Sequence, residues 1–242
     1  MPDTLKPNIH GGGKLEVHGS LSSRQIVVIL TRDNFQLDAA LVAHLVDFLV
    51  DRQLTVVRYD SEWVVTKQRI NPPGLQKLPR WLALPIKALI LFAHPRRWRH
   101  FSRRYHNNGD SIAYRLRSLR ELIQFLGPDK ELVLVTRSAS GRVASLLADE
   151  AQIKKLICLG YPFKHPDAGP EPARYQHLET LHTPLLIIQG TQDVYGGAEI
   201  KHKYKFAQNT TIQMIDADHN FSVSETEWHR ILELIDGFIR AA

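Results

Sequence analysis

Residues 131–149, ELVLVTRSASGRVASLLAD, restrict the fold more than any other stretch of the chain. An aliphatic run, Leu132 to Val135, enters the polar turn Thr136-Arg137-Ser138-Ala139-Ser140-Gly141, and Arg142 to Asp149 continue with helix formers. The pattern predicts a strand, a sharp turn carrying a serine, and a helix. A serine at the tip of such a turn stands clear of the sheet, and the amide of Ala139, just after it, can donate to an oxyanion at the helix N-terminus. The same letters also fit a plain N-cap, in which the hydroxyl accepts from an amide two or three residues on.

A serine hydroxyl is a poor nucleophile unless a base takes its proton and a third group holds that base. Downstream, residues 184–189 (PLLIIQ) read as a buried strand, followed by Gly190-Thr191-Gln192-Asp193. Residues 211–215 (TIQMI) read as another, followed by Asp216-Ala217-Asp218-His219. Asp193 alone fits an ordinary turn residue, and His219 alone fits a loop histidine. Together they give the order serine, aspartate, histidine, each directly after its own strand. Parallel strands put such loops along one sheet edge, where the three side chains can converge.

The rest of the chain supplies the elements that such a sheet needs. Strands are predicted over residues 14–18, 25–30, 54–59 and 155–160, and helices over 38–52, 112–125, 198–206 and 225–239. The helix over 38–52 places Leu41, Val42, Leu45, Phe48 and Leu49 on one face, and Gly127-Pro128 closes the helix over 112–125. Strands alternating with helices imply an α/β fold: a mostly parallel, twisted sheet with helices on both faces.

The segments VLVTRSASGRVAS, LICLGYPF, TPLLIIQGTQD and DADHNF resemble the α/β-hydrolase superfamily, and within it the small dienelactone-hydrolase-like serine hydrolases. The resemblance covers residues 25–59 and 110–242. It implies Ser138 as nucleophile, Asp193 as the acid that orients the base, and His219 as general base and then acid. Two positions depart from the family pattern. Its G-x-S-x-G turn has Thr136 and Ser140 where the glycines stand. Its His-Gly after the first central strand is replaced by Thr31-Arg32-Asp33-Asn34, the loop from which a second oxyanion donor, at Thr31 or Arg32, is expected. Arg32 and Arg137 are expected to add positive potential at the pocket mouth and to bind a substrate that carries a negative group. The implied reaction is acyl transfer from an ester or thioester to water. It needs no cofactor, and its partner is a small-molecule acyl substrate.

At 242 residues, 43% of them hydrophobic, the chain is long enough for a single domain with one sizeable core. Its one cysteine, Cys158, lies inside the run Leu156-Ile157-Cys158-Leu159, so no intramolecular disulfide can form and a buried thiol is expected. Residues 1–13 are read as a flexible lead, without the apolar core of a signal peptide, and the localisation expected is cytoplasmic. The sequence has no C-x-x-C, H-E-x-x-H or phosphate loop, so no metal or nucleotide site is predicted.

Residues 63–109 stand outside the family resemblance and read as a cap inserted on the catalytic edge. They carry ten Lys and Arg and no Asp or Glu; the whole chain has 31 basic and 25 acidic residues, so the remainder is acidic by four. Within the insertion, WLALPIKALILFA (residues 81–93) is apolar apart from Lys87 and is much shorter than the roughly twenty residues that span a bilayer. Three readings compete. The apolar run packs as a helix on the body while the arginines are solvated. Or the cap is an interfacial lid on an anionic membrane, making the protein peripheral at the inner face of that membrane. Or Arg96 to Arg104, interleaved with Trp98, Phe101 and Tyr105, bind nucleic acid, although no reading motif accompanies them. Under either binding reading the chain could also be a weakly active or non-catalytic hydrolase-fold protein that acts through its cap.

Overall fold

The computed structural model describes residues 3–5, 13–31, 35–61, 64–65, 73–76, 78–93 and 110–241. Eight strands form one sheet: β1 (Asp3–Leu5), β2 (Lys14–His18), β3 (Gln25–Leu30), β4 (Val56–Asp60), β5 (Glu131–Arg137), β6 (Ile153–Leu159), β7 (Leu185–Gly190) and β8 (Thr210–Ile215). Their order is β1-β2-β4-β3-β5-β6-β7-β8. From β4 to β8 every pairing is parallel, whereas β1–β2 and β2–β4 are antiparallel. The central strands are buried along almost their whole length, with β7 buried at all six positions. This is the signature of a parallel sheet covered on both faces.

Five helices longer than one turn are described: α1 (Phe35–Asp51), α2 (Arg80–Phe92), α3 (Asp110–Leu126), α4 (Ala139–Ser145) and α5 (Glu225–Arg240). On one face, Leu119, Leu122 and Ile123 of α3 and Val143 and Ala144 of α4 pack on Val28, Leu134 and Leu156. On the other, Val42, Leu45 and Leu49 of α1 meet Ile231, Leu232 and Ile235 of α5 over Val27, Val135 and Ile188. Ser224 caps α5 by accepting from the Glu227 amide at 3.2 Å, and Gly127 ends α3 at φ +109, a conformation that favours glycine.

The fold class expected from the sequence is the one observed, with differences at particular elements. Residues 3–5, read as part of a flexible lead, pair with β2 as an edge strand; residues 1–2 and 6–12 lie outside the described residues. The helix expected over 198–206 contracts to the single turn Ile200–Lys203. Tertiary packing overrides propensity there. Tyr204 turns extended, and its ring stacks on Phe163 at 4.9 Å between centroids.

Strand order fixes where a ligand site can lie. The chain runs from β3 outward to β4 and then returns to the far side of β3 for β5, so the topological switch falls between β3 and β5. At such a point the loops leaving the two carboxyl ends diverge and open a crevice. Thr31 follows β3 and Ser138 follows β5.

Candidate active site

Ser138 sits between β5 and α4 with φ +53 and ψ −119, a backbone state that side chains other than glycine rarely adopt. Such a conformation costs on the order of 1–3 kcal/mol and persists only where its surroundings enforce it. Here the Ser138 amide donates to Leu159 O at 3.1 Å, and its carbonyl accepts from the Gly141 amide at 2.9 Å. The Ser140 hydroxyl accepts from the Arg137 amide at 3.0 Å and lies 2.8 Å from Leu30 O, tying the turn to β3.

The two departures at this turn have a structural account. Thr136 points its hydroxyl into the sheet, donating to Ile157 O at 2.9 Å and lying 3.2 Å from Cys158 Sγ. The close approach falls one residue later than in G-x-S-x-G. A Cβ on Gly141 would meet Thr136 Oγ1 and Cys158 Sγ at 3.2 Å. Threonine at 136 therefore fits because glycine stands at 141.

Three loops bring the predicted residues together. Ser138 Oγ lies 2.9 Å from His219 Nε2, and His219 Nδ1 lies 2.7 Å from Asp193 Oδ2. The carboxylate can only accept, so Nδ1 keeps its proton and donates to it, which leaves the Nε2 lone pair facing the serine. Asp193 is enclosed and fully bonded. Oδ1 accepts from the Tyr195 amide at 2.8 Å, and Oδ2 also accepts from Gln189 Nε2 at 2.9 Å. Gln189 is itself buried, accepting from the Tyr161 amide at 2.7 Å and donating to Gly196 O at 2.7 Å.

The histidine loop is braced from within and from below. Burial would raise the Asp218 carboxyl, but the Ser222 and Asn220 amides donating to it outweigh burial and lower it, keeping it charged. Tyr195 lays its ring against that of His219, 4.4 Å between centroids. Arg137 lies beneath the loop. Its guanidinium donates to His219 O and, at 2.9 Å, to Leu159 O; it sits 4.7 Å over the Phe221 ring and 3.6 Å from the buried Asp38 carboxylate.

The side chain of Arg137 is 2% exposed, so it cannot stand at the pocket mouth as the sequence reading had it. Gly160, at φ +67, leaves room for this guanidinium, since a Cβ there would meet Nη1 at 2.5 Å. Arg32, the other arginine expected at the mouth and at the oxyanion loop, lies outside the described residues, as do Arg96 to Arg104. Thr31 is buried and donates its hydroxyl to Asp60 Oδ1 at 3.1 Å. The Ala139 amide is the first of α4, where amides have no partner inside the helix. Gln189 and Tyr195 were not singled out in the sequence, where a polar end to an aliphatic strand and an aromatic two residues past Asp193 were the only signals.

On the β3 side of the turn, touched by Ser140 but by none of Ser138, His219 and Asp193, lies a cavity of about 50 Å³. Leu30, Tyr59, Leu119 and Val143 make its apolar walls, while Thr31, Ser140 and Arg115 add polar groups. Among the described residues, no group of His, Cys, Asp and Glu is placed to hold a metal ion.

A mostly parallel sheet with a strained serine at the strand-to-helix turn beside its switch point defines the α/β-hydrolase class. The chain belongs to the alpha/beta hydrolase family, whose domain model matches residues 90–241. Solved structures of similar fold include the dienelactone hydrolase from Anabaena variabilis, at 16% identity and TM-score 0.60 with 98% of this chain and 97% of that one covered. A predicted CIB-like hydrolase from Thermoplasma acidophilum gives 11% identity and TM-score 0.62 over 99% and 98% of the two chains. The thioesterase domain from the curacin biosynthetic pathway gives 12% and 0.55 over 97% and 98%. No curated protein sequence matches.

Proposed function

We propose that this hydrolase cleaves an ester or thioester of a small or acyl-chain substrate through Ser138, His219 and Asp193. The observation that carries the reading is the continuous row from Ser138 Oγ to His219 to Asp193, at 2.9 and 2.7 Å, on a serine held at φ +53. His219 Nε2 takes the Ser138 proton as Oγ attacks the acyl carbonyl, and Asp193 balances the imidazolium. The Ala139 amide, with a donor from the loop after β3, stabilises the oxyanion. As the tetrahedral centre collapses, His219 gives its proton to the leaving alcohol or thiol. Water, deprotonated by the same nitrogen, then releases the acid and regenerates the serine.

A second reading, a weakly active hydrolase-fold protein that works by binding through its cap, is favoured by the exposed apolar side of α2.

A fluorophosphonate probe separates the two. The catalytic reading expects labelling that Ser138→Ala abolishes, together with the hydrolysis of p-nitrophenyl acetate. Labelling that persists in Ser138→Ala, or none in the folded wild type, overturns it.

A further inference from the structure

Helix α2 is unevenly covered along its length. Ala83 is 6% exposed, and Lys87 and Ile90 are half-buried. On the opposite side Trp81, Leu84, Leu89 and Phe92 are 72, 63, 72 and 72% exposed. At about 100° per residue these four and Pro85 fall within a sector of roughly 140°, so they form one continuous stripe along the helix. Leu82 and Ile86, 37 and 38% exposed, extend it at one edge. Single exposed hydrophobic residues are ordinary, but a contiguous stripe of this kind in water marks a binding face.

The charge of the flanking sequence selects the occupant. Arg80 and Lys87, seven residues apart, share one flank of the stripe, and residues 63–109 carry ten basic and no acidic side chains. A second copy of the chain would cover the apolar stripe but would bring two such basic segments together. Nucleic acid would answer the charge but not the aliphatic Leu84 and Leu89. A bilayer rich in anionic lipid offers apolar depth and negative headgroups on one surface. The helix is thirteen residues long, and among the described residues no helix is long and apolar enough to cross a membrane, so it would lie along the surface. The cap departs from the carboxyl end of β4, the edge of the sheet that also carries Ser138.

We propose that α2 is an interfacial anchor that lays Trp81, Leu84, Leu89 and Phe92 into the headgroup layer of an anionic membrane. The inference stands independently of the catalytic reading. It is therefore tested on the full chain as wild type and as Ser138→Ala, which bind alike.

Both are sedimented with phosphatidylcholine vesicles containing or lacking about 30% phosphatidylglycerol. Binding is expected with the anionic vesicles at low salt, weakened by high salt and by roughly fivefold for each charge removed in Arg80→Gln and Lys87→Gln. Leu89→Glu with Phe92→Glu is expected to abolish it while circular dichroism stays unchanged. In wild type, tryptophan emission should shift to the blue on binding, and Trp81→Phe should remove that shift, so a readout remains if the double variant misfolds. Failure to sediment, sedimentation indifferent to anionic lipid, or an unshifted Trp81 overturns the proposal. So does a dimer in solution that already buries Trp81, or binding of an oligonucleotide that survives loss of Leu89 and Phe92.

Discussion

At Arg137 a full positive charge is held almost out of water by two carbonyls, a carboxylate and an aromatic ring. A guanidinium presents donors in a fixed fork, which a lysine ammonium on a flexible stem cannot reproduce. One branch serves Leu159 O at the end of β6, and another serves His219 O, so the residue before the serine fixes the loop of the base. Arg137→Met should lower kcat at least tenfold with KM little changed, with partial recovery in Arg137→Lys. Measuring both constants checks this, because a side chain that touched substrate would raise KM. The variant would also lose stability, since it removes one member of a buried ion pair, a change typically costing about 3–5 kcal/mol. Ser138, Asp193 and His219 were legible because each closes a run of aliphatic residues. The placement of Arg137 was not, because it depends on residues 159 and 219, which the fold brings to it.

Among the elements, the strands were read closely, since continuous aliphatic runs leave little choice once helices cover both faces. The short helix at Ile200–Lys203 was over-read because its periodicity continues past the point where Tyr204 is drawn under Phe163. Connections between elements carry their own stability. Past the end of α4, the Asp149 carboxylate accepts from the Thr183 amide at 2.8 Å and the His182 amide at 3.0 Å, fixing the approach to β7. Burial alone would raise this carboxyl, but these bonds lower it below its ordinary 3.8. A lowered carboxyl stabilises the fold above its unfolded value, and that contribution disappears as pH falls through the folded one. Urea unfolding of Asp149→Asn should therefore show a deficit at pH 7 that shrinks below about pH 4. A deficit constant with pH would mean that the charge plays no part.

For the molecule as a whole, composition located the basic insertion but left three readings of it open. A charge count does not tell which side of a helix is covered, and the fold leaves Ala83 buried and Trp81 exposed. The ends of the sheet were less legible still. β1 is three residues long, and a strand that short has no readable period; its existence depends on β2 offering a free row of backbone groups. Asp3, Thr4 and Leu5 pair with Val17, Glu16 and Leu15, and so shield the outer margin of β2. Deleting residues 1–5 would leave that margin bare, an adhesive border that invites strand-to-strand joining between molecules. The shortened chain should keep its turnover at low concentration yet scatter light increasingly as it is concentrated. A fusion joined immediately before Asp3 should act in the same direction, since it would pry the first strand from its seat beside β2.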